Sequence, residues 1–262
     1  MSLPGAESTL GLGMVTLYLS LLVLIPIAAV VDQSLSQGLG TFWDQVTTPG
    51  ARRALELTLT CSLIVVAING VFGTMIAWVL VRDDFRGKAA LNALIDLPFA
   101  LPTIVAGIVM LSLYISPDSP IGINVGLTRT AVVLMLLFIT LPFVVRSVQP
   151  VLLELDPEVE EAAASLGASG LTIFRRIIFP NILPALLSGI ALAFARALGE
   201  FGSLALIGGA INSTVVSVFI RSLIEGDNFT GAAALSVVLL LMSLLLLAIV
   251  TVIQIWASKH DR

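Results

Sequence analysis

Few residues in this 262-residue chain have the chemistry to act on anything, and they fall in two places. The first is a pair, Arg196 and Glu200, inside a long apolar stretch. At i, i+4 on a helix their side chains are neighbours. A lone arginine at mid-membrane costs about 2.5–3.5 kcal/mol on the insertion scale, so it faces a bundle interior, where a partner or water lowers that cost. Two roles stay open. The pair is a self-neutralising brace between helices, or Arg196 lines a route for an anion and Glu200 limits how tightly it binds. A route needs weak attraction, since tight binding stops release.

The second place is the segment 146–181. It contains Glu154-Leu155-Asp156-Pro157-Glu158-Val159-Glu160-Glu161, then Ala162-Ala163-Ala164-Ser165-Leu166-Gly167. Asp156 suits a helix N-cap, Pro157 the first helical position, and the glutamates the positive end of the dipole. Gly167 suits the residue just past the helix end. Val159, Ala163 and Leu166 share one face. The spacing predicts a second helical piece over Leu171–Ile178, closed by Pro180. A short helix with a small apolar face suits docking into a groove of a soluble partner. Its acidic face argues against lying on an anionic membrane surface.

Other chemistries lack their residues. One cysteine, Cys61, excludes an internal disulfide and a cysteine metal cluster, and it reads as a small apolar residue. The single histidine, His260, excludes a multi-histidine metal site. No nucleophile–base constellation is evident. Gly87-Lys88 lacks both the earlier glycine and the following Ser/Thr of a phosphate loop, so nucleotide chemistry belongs to another polypeptide. No catalytic, cofactor-binding or metal-binding residue is expected.

The elements that hold these residues are membrane helices. Hydrophobic residues make up 58% and charged residues 11%, and mean hydropathy is +1.07. So few charges could not wet a soluble surface. Net charge is −4, which offers no basic field for nucleic acid. Six apolar stretches approach the ~20 residues a crossing needs: 14–31, 57–81, 97–115, 130–148, 182–207 and 232–257. None shows barrel-type alternation. The first has no basic residue before it, unlike a signal peptide. Eight basic residues fall on one side (Arg82, Arg86, Lys88, Arg146, Arg175, Arg176, Lys259, Arg262) and four on the other (Arg52, Arg53, Arg129, Arg221). The richer side is expected to be cytoplasmic, with both termini there.

Prolines sit in or beside these stretches: Pro26, Pro98, Pro102, Pro142, Pro180 and Pro184. Each kinks a helix and frees a carbonyl. Pro98 and Pro102, with Gly107 beyond, make the third span the candidate hinge. Gly199, Gly202 and Ser203 permit close helix contact. Thr58, Thr60, Ser62 and Asn69 form a polar ladder that bonds a neighbouring helix or lines a pore. Asp96 reads as interfacial. The outer loops, near 32–56, 116–129 and 208–231, are too short for a folded domain.

The pattern Glu161-Ala162-Ala163, Gly167, Ile177 and Phe179-Pro180 resembles the EAA loop of ABC importer permease subunits of the type I fold. Those carry leucine where this chain has Phe179. The resemblance implies an all-α, six-helix permease domain over 54–257, with its coupling loop at 146–181. Residues 1–53 would be a tail, first helix and outer loop, and 258–262 a cytoplasmic tail. It implies that the loop helix sits in a cleft of a separate ATP-binding subunit. Leu97–Gly107 and Ala195–Gly202 are similar to sulfate and molybdate permeases. Leu141–Leu152, running into Asp156–Ala163, is closest to the T-type permeases of sulfate/thiosulfate importers. That implies three kinds of partner: two ATP-binding subunits, a second W-type permease and an external sulfate-binding protein. Molybdate or tungstate is the alternative cargo. An ion-coupled secondary transporter is the alternative class, but Glu200 is the only deep carboxylate and Arg196 neutralises it. The expected location is a bacterial cytoplasmic membrane, since no transit-like leader is seen.

Overall fold

A computed structural model describes residues 6–115, 119–207 and 214–258, so His260, Lys259 and Arg262 lie outside it. Among the described residues every regular element is helical. Lipid explains why: no water satisfies an exposed peptide group, so each crossing segment must bond within itself. Five helices are long and apolar enough to cross a membrane, or six if one bent pair forms a single span.

The chain divides into two compact units. The first comprises residues up to Arg52 with Phe219–Leu240. It opens with α1 (Ala6–Leu19), a π-helical turn at Ser20–Leu24, and α2 (Ile25–Leu35). None of the apolar window in Gly11–Leu35 is buried within the chain. The outer-loop stretches prove partly helical, as α3 (Gly38–Val46) and α11 (Val216–Glu225). Asn228 Oδ1 accepts the Gly231 N–H at 2.9 Å, and its amide donates to Gln45 Oε1 at 2.9 Å, fixing the start of α12 (Phe229–Ser258).

The second unit comprises Arg53–Val218 with the chain from Leu241 onward. Its helices are α4 (Pro49–Arg82, shared with the first unit), α5 (Lys88–Ala100), α6 (Thr103–Tyr114), α7 (Arg129–Glu154), α8 (Pro157–Ser165), α9 (Gly170–Ile173) and α10 (Phe179–Leu198). Helices α7 and α10 form its centre, with Val144, Val148, Leu152, Ile182 and Ala193 fully buried. Lipid tails are as apolar as leucine, so helices associate by close packing at small residues. Gly189 is the contact point. A Cβ there would lie 3.0 Å from the Val144 Cα and 3.1 Å from the Phe143 carbonyl oxygen. Polar groups add directed bonds. Asn69 donates to the Leu137 carbonyl at 3.1 Å and to Thr140 Oγ1 at 2.9 Å. Thr58 Oγ1 accepts the Val216 N–H at 2.9 Å. The ladder on α4 is thus structural at both of these positions.

Two expected spans and the role of Pro180 are corrected. The third stretch, 97–115, is not one helix. Helices α5 and α6 meet at 116°. The break falls at Leu101, extended at φ −85° and ψ 136°, just before Pro102. A proline's Cδ clashes with the preceding residue's helical backbone and drives it extended. Pro98, by contrast, sits inside α5. The fifth span is Gly170–Leu198 rather than 182–207, because the chain leaves the helix at Gly199. Pro180 does not close the segment after the loop. It lies in the first turn of α10, and the chain passes into it through a π-helical turn at Phe174–Ile178.

Both π turns end two residues before a proline. Ile25 N–H bonds the Ser20 carbonyl just before Pro26, and Phe179 N–H bonds the Phe174 carbonyl just before Pro180. Proline lacks the donor for the carbonyl four residues back and its ring crowds that carbonyl. The wider turn moves it aside, and the helix direction survives.

Candidate functional site

The first site is the turn that ends α10. Arg196 lies in the last helical turn and Glu200 just past the end. The pair expected within one helix therefore forms across a helix terminus. Arg196 Nη2 is 2.6 Å from Glu200 Oε2, angled off the hydrogen-bond direction, so the contact is charge on charge. The other carboxylate oxygen, Oε1, accepts the Ser203 N–H at 2.8 Å and the Ser203 hydroxyl at 2.9 Å. Ser217 donates to the Glu200 carbonyl at 2.6 Å. The Glu200 side chain is 1% exposed and that of Arg196 is 30% exposed. The carboxylate is committed to the turn, while the guanidinium side chain stays partly exposed.

The broken span rests on this turn. A Cβ on Gly107 would lie 2.8 Å from the Ser203 Cα, so α6 touches the turn backbone to backbone. A Cβ on Gly202 would lie 2.2 Å from Thr103 Oγ1. Gly199 faces only ordinary contacts, at 3.6 Å. So Gly202, not Gly199, is the residue whose missing side chain permits the approach. The expected result for Gly202→Ala is a destabilisation of about 1–3 kcal/mol from overpacking, read as a fall in melting temperature of the detergent-solubilised protein.

The second site is the loop after α7. Asp156 Oδ1 accepts the Glu158 N–H at 2.9 Å, and Pro157 opens α8 as its residues require. Gly167 has φ +84°, the left-handed conformation. Its N–H bonds the Ala164 carbonyl at 2.9 Å, and Ala168 N–H bonds the Ala163 carbonyl at 3.0 Å. This is a Schellman stop. Glu161 and Ala162 are exposed, Ala163 is half-buried, Ile177 is half-buried and Pro180 is exposed. Leu166 is 90% exposed and Val159 is also exposed, so most of the apolar face of α8 has no cover from its own chain.

Two charged contacts tie this end of the unit together, and neither pairing was visible as a sequence spacing. Arg82, at the end of α4, pairs with Glu160 on α8 and stacks 5.9 Å above Trp78. Arg146 on α7 clasps α5. Its Nε and Nη2 meet the two Asp96 oxygens at 2.7 and 2.6 Å. It also bonds the Asn92 side chain and carbonyl, each at 3.0 Å, and Gln149 at 2.5 Å. Asp96 is thus a clasp partner rather than a bare interfacial residue. An ammonium cannot reproduce this planar fork. Arg146→Lys is expected to loosen α5, raising its amide exchange at least severalfold with α10 unchanged. Equal protection of α5 in both proteins would contradict the clasp.

No group of three or more metal-ligating side chains occurs among the described residues. The geometry offers an apolar bundle, one anchored and partly exposed guanidinium, and an exposed loop helix. Residues 69–259 match the family described as binding-protein-dependent transport system inner membrane component. This permease belongs to that family. The sulfate transport system permease protein CysT of Synechococcus elongatus is 46% identical over 252 residues, which is 93% of this chain and 91% of that protein. The protein of the same name from Salmonella typhimurium is 42% identical over 261 residues, 96% of this chain and 93% of its own. A chain of the bacterial alginate ABC transporter, crystallised with its alginate-loaded periplasmic protein, superposes with a TM-score of 0.76 at 17% identity, covering 98% of the permease and 94% of that chain. At that identity the likeness establishes the fold alone, an ABC importer permease fold; the family match and the apolar helices make the chain a multi-pass inner-membrane protein.

Proposed function

We propose that the chain is the permease subunit of an ATP-driven importer of sulfate and thiosulfate and forms half of its translocation pathway. The identity of 46% to a sulfate transport permease, spread over 93% of the chain, carries this reading. It does not favour molybdate or tungstate as cargo.

The permease domain is 54–257. A second, W-type permease supplies the other half of the pathway, two ATP-binding subunits lie beneath, and an external sulfate-binding protein delivers the anion. The loop helix α8, within 146–181, docks into an ATP-binding subunit through Glu161, Ala162, Ala163 and Gly167. Ile177 and Pro180 hold the chain's return into α10. The excess of basic residues on the loop side supports a cytoplasmic placement of that loop and of both termini. ATP binding closes the cytoplasmic subunits. To change anything, it must bind one of two conformations better than the other, and α8 carries that bias to the spans. The break at Leu101, with Pro98, Pro102 and Gly107, is where the spans bend. Arg196 attracts the dianion weakly because Glu200 already holds it.

The experiment is uptake of labelled sulfate by cells lacking their own importer, supplied with this chain and its partner subunits. Unlabelled thiosulfate is expected to compete strongly and molybdate little. Restored molybdenum-enzyme activity without sulfate uptake would move the cargo to molybdate and leave the permease assignment standing.

A further inference from the structure

We propose that the second unit carries a binding site for an anionic phospholipid, with one acyl chain in a groove between α4 and α10 and the phosphate at Arg175 and Arg176. The groove has a volume of about 670 Å³ and runs from Val66 to Val79 on α4, with Phe174, Phe179 and Ile190 on the other wall. At 1.5 Å per residue those thirteen steps span about 20 Å. That exceeds the ~15 Å half-thickness of the hydrocarbon core, so the groove accepts an acyl chain over a full leaflet. Its walls are apolar. Thr74, the lone hydroxyl, is turned back to the Gly70 carbonyl at 2.6 Å.

Aromatic rings mark the foot of the groove. Trp78 and Phe174 meet edge to face at 5.9 Å, and Phe174 and Phe179 lie 6.0 Å apart. The span Gly170–Leu198 is 29 residues long, about nine more than one crossing needs, and the excess lies at its loop end. Arg175 and Arg176 therefore stand about one turn outside the hydrocarbon, at headgroup depth. Together with Leu171 and Thr172 they line a separate hollow of about 370 Å³. Both are exposed, and neither has a hydrogen bond or ion pair among the described residues. Arg82, by contrast, is held by Glu160. An apolar furrow with two uncommitted guanidinium groups next in sequence to its Phe174 wall has the charge and length of an anionic lipid. A partner helix would fill the furrow and leave both charges unmatched.

The test uses the purified, assembled importer in vesicles containing a trace of phosphatidylglycerol or phosphatidylcholine with a photoreactive acyl end. Labelled peptides are mapped. Phosphatidylglycerol is expected to label residues 66–79 and 186–190 at least fivefold more than phosphatidylcholine, since one basic residue near a surface is worth roughly a factor of five. R175Q/R176Q brings the two probes level, and R175K/R176K keeps the preference. Equal labelling of the groove by both lipids in the unmutated importer overturns the proposal. So does an unlabelled groove beside labelled lipid-facing surface elsewhere, which means that protein covers it.

Discussion

The double variant Arg196→Leu/Glu200→Gln is expected to insert, assemble and carry no measurable sulfate, with uptake down at least a hundredfold. The single variant Arg196→Leu is expected to lose uptake too, but it confounds two causes. It strands a carboxylate whose side chain is 1% exposed. Breaking a buried pair from one side costs about 3–5 kcal/mol. Arg196 is partly exposed, so the lower end applies. Glutamine at 200 removes the stranded charge and keeps an oxygen for the Ser203 N–H and hydroxyl, which now bond Oε1 at 2.8 and 2.9 Å. The turn under Gly107 and Gly202 is then preserved. What the double variant lacks is the partly exposed guanidinium. If the pair only braces the bundle, this neutral variant transports as well as the parent. Uptake per assembled complex, normalised to membrane content, separates the two roles.

Gly167→Arg is expected to abolish co-purification of the ATP-binding subunit, while Gly167→Ala keeps most of it. Both variants put a side chain at φ +84°. The left-handed conformation costs a non-glycine residue about 1–2 kcal/mol, so alanine measures that strain alone. Nothing in the permease lies within 4 Å of a Cβ at this position, so arginine meets no obstacle in its own chain. Its bulk and charge project beside the exposed Leu166 and Val159, on the face that docking must bury. Equal loss in both variants would assign the effect to the Schellman stop. Normal yield with arginine would remove Gly167 from the docking face.

Local chemistry was the part most legible in the sequence. Asp156, Pro157 and Gly167 each take the position that their type demands, because caps depend on a few adjacent residues. The Arg196–Glu200 pair was legible for the same reason. Where the helices end was not. The apolar run continues to Ile207, and hydropathy does not register that Gly199 leaves the helix four residues before Ser203 closes on Glu200. The third span hid its break in the same way, since Leu101 is as apolar as its neighbours and only Pro102 marks it. The clasp was illegible for a different reason. Arg146 counts as one positive charge in a topology argument, and its partner Asp96 is 50 residues away. Nothing local links them until α5 folds back against α7.

In the proposed function ATP, acting through α8, drives anion entry through this permease. The most direct test is the purified complex reconstituted in vesicles, with ATP on the loop side and loaded sulfate-binding protein on the other. Labelled sulfate is expected to accumulate only when ATP is present, and not at all with Gly167→Arg. Accumulation without ATP, driven by an imposed proton or sodium gradient, would contradict ATP coupling and place the protein among ion-coupled carriers.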